Sequence, residues 1–215
     1  MSLQTPYTNE QMLRLLALAH RHSNPNLLDN WYFADPINQR GLTEYSGLGY
    51  TIDRWTANYS KNLTVTVEDG GLLLVSTGSN AILTQMVPID LTGKTICFSL
   101  LTDSGLYSRT KTMDSIDYTS QVSLPLGRIQ VFMSGRMTVF RVWIYSGYSL
   151  KLNAAKLEMG TQQTLAHQDD AGNWQLIDPP PNKQQELAKC QRYFRVYRTE
   201  TARPAYAEDC SPVMR

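Results

Sequence analysis

From Leu27 onward the apolar residues gather in short runs separated by Gly, Asn, Asp and Ser, and some of these runs alternate with polar residues. Runs rich in Val, Ile, Thr, Tyr and Phe occupy 30–33, 63–67, 72–76, 81–87, 95–102, 106–111, 121–124, 129–133, 138–146 and 150–159. Between them lie tight-turn sequences such as Asp69-Gly70-Gly71, Thr92-Gly93-Lys94, Asp103-Ser104-Gly105 and Ser134-Gly135-Arg136. In the run ending at Ser146, Phe140, Val142 and Ile144 share one face and are read as core, while Val139, Arg141, Trp143 and Tyr145 share the other. Leu63, Val65 and Val67 point in by the same rule, and Thr64 and Thr66 point out. About nine or ten strands at this spacing predict a two-sheet sandwich. Strands do not alternate with long helices, which argues against a parallel α/β fold.

Both ends depart from this texture. Thr8 and Gln11 have the spacing of a capping box, and Met12, Leu13, Leu15, Leu16 and Ala19 then recur with helical period up to Ser23-Asn24-Pro25. The reading is a short helix over 9–21. Leu18 lies off its apolar stripe, so the helix is expected to dock on its own domain or on copies of itself. Past Thr161 the chain becomes rich in Gln and Asp and reaches Asp178-Pro179-Pro180-Pro181-Asn182, a stiff connector without amide donors. Residues 183–189 read as a short helix and 190–197 as a strand with Cys190, Arg192, Phe194 and Val196 on one face. The expected fold is all-β, a jelly-roll-like two-sheet sandwich with a short N-terminal helix and a short C-terminal extension. Its parts are a helical attachment or oligomerisation element over 1–25, the sandwich over 26–177, and a proline-rich connector with a partial β-region over 178–215.

Charge and composition narrow the function classes. Lys plus Arg (20) nearly cancels Asp plus Glu (19), so no net field draws the chain to nucleic acid or an anionic membrane. No apolar run reaches the roughly 18 residues that span a bilayer. The N-terminus has no secretory pattern, so synthesis and folding in a cytoplasm are expected. Cys97, Cys190 and Cys210 lack metal-site spacing and read as reduced structural thiols, with a Cys190–Cys210 bridge as the alternative.

Candidate chemistry is sparse. His20 and His22 sit where a cation complements a helix C-terminus. His167, near Asp169 and Asp170, has neither a second histidine nor a nucleophile motif beside it. Glu44, Asp53, Glu68, Asp69, Asp90, Asp103, Asp114 and Asp117 are the carboxylates a glycoside hydrolase would have to pair; most lie in turn-like positions, where such groups usually cap. The expectation is a protein that is not an enzyme and carries neither metal nor cofactor. The aromatics, four Trp and twelve Tyr, say more. Trp31 and Trp55 are in apolar contexts and read as core, whereas Tyr107, Arg141, Trp143 and Tyr145 are the candidate ligand contacts, because flat rings with polar tips suit sugar stacking.

Several segments together resemble a known module. Asn26-Leu27-Leu28-Asp29-Asn30-Trp31, Pro36-Ile37-Asn38-Gln39-Arg40-Gly41 and Tyr50-Thr51-Ile52-Asp53-Arg54-Trp55, in that order, resemble the opening of a module of phage and prophage tail-fibre and minor tail proteins. Ala155-Lys156-Leu157-Glu158-Met159-Gly160 with Thr164-Leu165-Ala166-His167, and Glu186-Leu187-Ala188-Lys189-Cys190-Gln191-Arg192-Tyr193-Phe194, extend the likeness. The resemblance implies a sandwich similar to carbohydrate-binding modules, located in a virion, that recognises a bacterial surface glycan or joins parts of a fibre. It carries over no catalytic residues. It also implies partners: other virion proteins and further copies of the chain, in a homotrimer. The alternative is a head or tail fibre or decoration protein with a purely structural role. Asp53-Arg54-Trp55 reads as an ion pair beside a buried indole, and Lys156-Leu157-Glu158 as an outer-strand pattern. Related chains continue with a β-region after the Cys-Gln-Arg-Tyr block, so Pro212-Val213-Met214-Arg215 reads as the end of a shortened version or fragment.

Overall fold

The structure is a computed structural model and describes residues 8, 10–11, 23–58, 61–114, 120–197 and 205–206. The strands pair into two six-stranded sheets in which every paired neighbour is antiparallel. Sheet A runs β1 (Glu44–Ser46), β4 (Leu63–Glu68), β5 (Gly71–Ser76), β12 (Ser149–Met159), β7 (Thr95–Thr102) and β8 (Gly105–Thr112). Sheet B runs β2 (Gly49–Tyr50), β3 (Thr56–Asn58), β6 (Ala81–Val87), β11 (Met137–Ile144), β10 (Gly127–Ser134) and β9 (Gln121–Leu124). Their facing sides make one core, in which Leu72, Leu74 and Phe98 of sheet A join Leu83, Phe140, Val142 and Ile144 of sheet B. The protein is a β-sandwich.

Most strand expectations hold to within a few residues, and Phe140, Val142 and Ile144 are buried as their alternation predicts. Two do not hold. Residues 30–33 make only one bridge, Tyr32 with Ala154, because Asn30 takes a left-handed φ of 50° and its side chain bonds locally. Residues 190–195 are not a strand, and only Val196–Tyr197 pairs, as β15, with β16 (Ala205–Tyr206). The helix α1 (Lys183–Cys190) extends through Cys190 instead. Asn182 caps it, accepting at 3.1 Å from the amides of Gln184 and Gln185, and the i,i+4 pair Glu186 and Cys190 is buried. Short strands β1 to β3, β13 (Ala166–Gln168) and β14 (Trp174–Leu176) gave no readable alternation. At the N-terminus the capping box is formed: the Thr8 amide donates to Gln11 Oε1 at 2.8 Å and the Gln11 amide to Thr8 Oγ1 at 3.2 Å. The rest of the anticipated helix, with His20 and His22, lies outside the described residues, as does Cys210.

The sequence blocks singled out above converge in space. Leu27 donates its amide to Leu157 O at 2.8 Å and Phe33 to Asn153 O at 2.9 Å, so the first block runs along β12. Asn30 is the hub: its side-chain amide donates to Ile37 O at 2.8 Å and Asp53 O at 2.7 Å, its carbonyl accepts from Trp55 Nε1 at 2.9 Å, and its own amide donates to Glu186 Oε1. Arg54 does not pair with Asp53. It turns the chain at φ 71°, bonds Asp29 Oδ2 at 3.0 Å, and lies 3.5 Å from the centroid of the Tyr193 ring. Arg40 stacks on Phe194 at 4.2 Å, and Gln39 Nε2 donates to Phe194 O at 2.9 Å. These residues are architectural, and they dock α1 and the turn after it onto the sandwich.

Two predictions arise here. Asp53 is buried, its Oδ1 has no partner, and burial pushes its carboxyl above the usual range, against smaller lowering effects of Gln39 and Arg40. A raised carboxyl stabilises the fold fully below the unfolded-state pKa and loses that contribution as pH rises through the folded-state value. Asp53→Asn is therefore expected to gain on the parent protein as pH goes from about 4 to about 7. Urea midpoints at the two pH values check this; a constant difference would contradict it.

Cys97 and Cys190 are buried free thiols, so Cys190 forms no bridge. Burial raises both above the ordinary thiol pKa, and the carboxylates of Asp53, Glu186 and Asp29 raise Cys190 further. In a Cys210→Ser background, an aromatic disulfide reagent should label neither thiol until urea unfolds the chain. Rapid labelling of the folded protein would show that these thiols are accessible.

Candidate functional site

On the outer face of sheet A, β12 is a central strand, not the outer one its Lys-Leu-Glu pattern suggests. Lys156 and Glu158 point away from the core yet are only 1% and 0% exposed, because the segment after β12 folds back over them. Thr164 donates its amide to Glu158 Oε1 at 2.7 Å and its hydroxyl to Oε2. Lys156 Nζ donates to Ser23 Oγ at 2.6 Å, Thr164 O at 3.2 Å and Asp178 Oδ2 at 2.8 Å. Leu165 and Ala166 join the core cluster, and β13 pairs with β14 to form a small hairpin. Asp169 ties that hairpin's turn, accepting at 2.8 Å and 3.0 Å from the amides of Asn173 and Ala171. Those bonds, the Asn173 amide first, hold its carboxyl below the usual range. Asp169 therefore acts as a turn cap beside His167, whose Nδ1 is buried without a partner.

Hairpin and sheet do not close completely. Between them is a cleft of about 580 Å³, within the size range of small-molecule sites. Its lining includes Tyr32, Thr102, Asp103, Asn153, Trp174, Gln175 and Asp178, with Pro179 and Pro180 at one side. Each position has a local cause. The register of β12 shifts between Leu152 and Ala154, and this bulge holds Asn153, which donates through Nδ2 to Gly70 O at 3.1 Å and leaves Oδ1 buried without a partner. Asp103 is exposed in the β7–β8 turn, which closes through Gly105 at φ 131°, a value that favours glycine. The indole nitrogen of Trp174 lies beside that turn, 3.7 Å from where a Cβ on Gly105 would be. Gln175 Nε2 donates to Asp169 Oδ2 at 3.2 Å.

The structure brings together three of the four sequence-derived candidates. Arg141, Trp143 and Tyr145 lie half-buried on or beside the outer side of β11. There Arg128 stacks 4.2 Å from the Trp143 centroid, Trp143 Nε1 donates to Gln130 Oε1 at 3.1 Å, and Arg141 stacks 4.5 Å from the Phe132 centroid. The indole N–H and one ring face are thus already engaged. Tyr107 is apart from them, on edge strand β8 of the other sheet, packed against the core with its hydroxyl 3.2 Å from Ser104 Oγ. Sequence reasoning missed Tyr32, Asn153, Trp174 and Gln175, which come from segments far apart in the chain. The hairpin between a Gln-rich stretch and the prolines, with a tryptophan in it, was the one local signal.

The chain matches no model of a known protein family and no curated protein sequence. Among the described residues there is no cluster of three or more His, Cys, Asp or Glu able to hold a metal, and no helix long and apolar enough to cross a membrane.

Proposed function

We propose that this chain is a non-enzymatic virion protein of a phage or prophage tail or fibre, a jelly-roll-type module that binds a host-surface glycan in the cleft under the β13–β14 hairpin. The observation that carries this reading is the cleft lining, where the rings of Tyr32 and Trp174 accompany the amides of Asn153 and Gln175 and the carboxylate of Asp103. Aromatic faces stack on the apolar side of a sugar, and amides and carboxylates take its hydroxyls. The resemblance of the sequence blocks to tail modules supports the virion setting. A purely structural fibre role is the second reading, favoured by the use of those same blocks for internal scaffolding.

Binding of the labelled full chain to purified bacterial cell-surface polysaccharide separates the two. Saturable binding that Trp174→Ala weakens is expected. No binding leaves the structural role, and release of reducing sugar would overturn the non-enzymatic reading. In the same proposal the chain assembles as a homotrimer through residues 1–23. Light scattering should then give a trimer for the intact chain and a monomer after their deletion; a monomeric intact chain would remove the trimer.

A further inference from the structure

Resting on that glycan reading, we infer that the cleft selects a ligand that carries no negative charge, namely a neutral or amino sugar and not an acidic one. Among the described residues no lysine, arginine or histidine lines the cleft, while Asp103 and Asp178 do. Asp178 is matched by Lys156, but the three protons of that ammonium already go to Ser23, Thr164 and Asp178, so none is left for a ligand. Each side-chain amide spends one of its two N–H protons inside the protein, Asn153 Nδ2 on Gly70 O and Gln175 Nε2 on Asp169. Their carbonyl oxygens remain, and Asn153 Oδ1 is a buried acceptor with no partner in the protein. Thr102 Oγ1 is occupied within its own turn by Ser104 and Gly105. The cleft thus offers two carboxylates and neutral polar groups, and no cation among the described residues.

A carboxylate or phosphate entering it would lose water, face Asp103 and find no cation in return. A neutral sugar meets no such repulsion, and an ammonium matches Asp103. Sheet B has the opposite character, since Arg128 and Arg141 lie on its outer side. An acidic glycan would be attracted there.

The test is a glycan array of neutral, amino and acidic bacterial-type oligosaccharides, probed with the full chain and with Asp103→Lys, Trp174→Ala and Trp143→Ala. Asp103 is exposed in a turn, so Asp103→Lys should leave the fold intact, which circular dichroism verifies. The expected hits are neutral or amino sugars whose binding weakens about tenfold or more in Asp103→Lys, amino sugars most. Hits that are acidic and strengthen in Asp103→Lys would keep the glycan reading and overturn this inference. Hits lost in Trp143→Ala but not in the cleft variants would do the same. An array without hits would remove the glycan reading itself, and the inference with it.

Discussion

Trp55→Ala is expected to lower the free energy of unfolding by about 3–5 kcal/mol. The indole is 0% exposed and sits between the layers, edge-on to Phe33 at 5.1 Å and to Phe140 of β11 at 6.0 Å. Truncation opens a cavity lined by rings that have little freedom to collapse into it. It also removes the indole donor from Asn30 O, the hub that joins the first, second, third and last sequence blocks. The effect should therefore exceed that of an aliphatic truncation at a site such as Val65, which is equally buried but has no polar role. Chemical denaturation followed by tryptophan fluorescence and by circular dichroism measures it. A loss under about 1 kcal/mol would mean that the core repacks around the gap and that Asn30 does not depend on the indole.

Lys156→Ala should cost a comparable amount, about 3–5 kcal/mol, because it strands a buried carboxylate. Lys156 Nζ lies 3.9 Å from Glu158 Oε2 and 2.8 Å from Asp178 Oδ2, and Glu158 is fully buried. With the ammonium gone, Glu158 keeps its two bonds from Thr164 but loses its nearby positive charge, and Ser23 and Asp178 lose a common partner. The double change Lys156→Met with Glu158→Gln removes both charges and is expected to cost clearly less than the single one. A second readout is local. If the ammonium holds the connector down, limited proteolysis between the hairpin and α1 should speed up in Lys156→Ala even under conditions where the sandwich stays folded. Equal stability of Lys156→Ala and the parent protein would show that the network only fills space.

Much of the sandwich was legible because strands collect β-branched and aromatic residues between turn residues, and half-buried strands such as β4 and β11 also impose period two on their side chains. β6, β7 and β9 coincide with their runs, β6 and β7 being buried almost throughout, and the core face of β11 follows directly from Phe140, Val142 and Ile144. Strands of two or three residues, such as β2 and β14, are too short to show a period. The cysteine-to-tyrosine stretch alternated as a strand would, yet Glu186 and Cys190 needed one buried helical face, and that tertiary demand prevailed. Arg141, Trp143 and Tyr145 could be grouped from sequence because neighbours of equal parity on one strand must share a side. Tyr107 could not be placed with or apart from them, since sheet membership is not a local property.

The sequence by itself determined the strand-rich class, most of the turns and many of the inward residues, which depend on neighbours within a few positions. Only the tertiary structure decided that Lys156 and Glu158 are buried, that Arg54 pairs with Asp29, and that Tyr32, Asp103, Asn153 and Trp174 meet at one cleft. Those outcomes depend on which strand is central and on where the chain after β12 returns. Both are set by contacts between residues far apart in sequence, such as Ser23 with Asp178 and Asn30 with Glu186, and local periodicity contains no record of them.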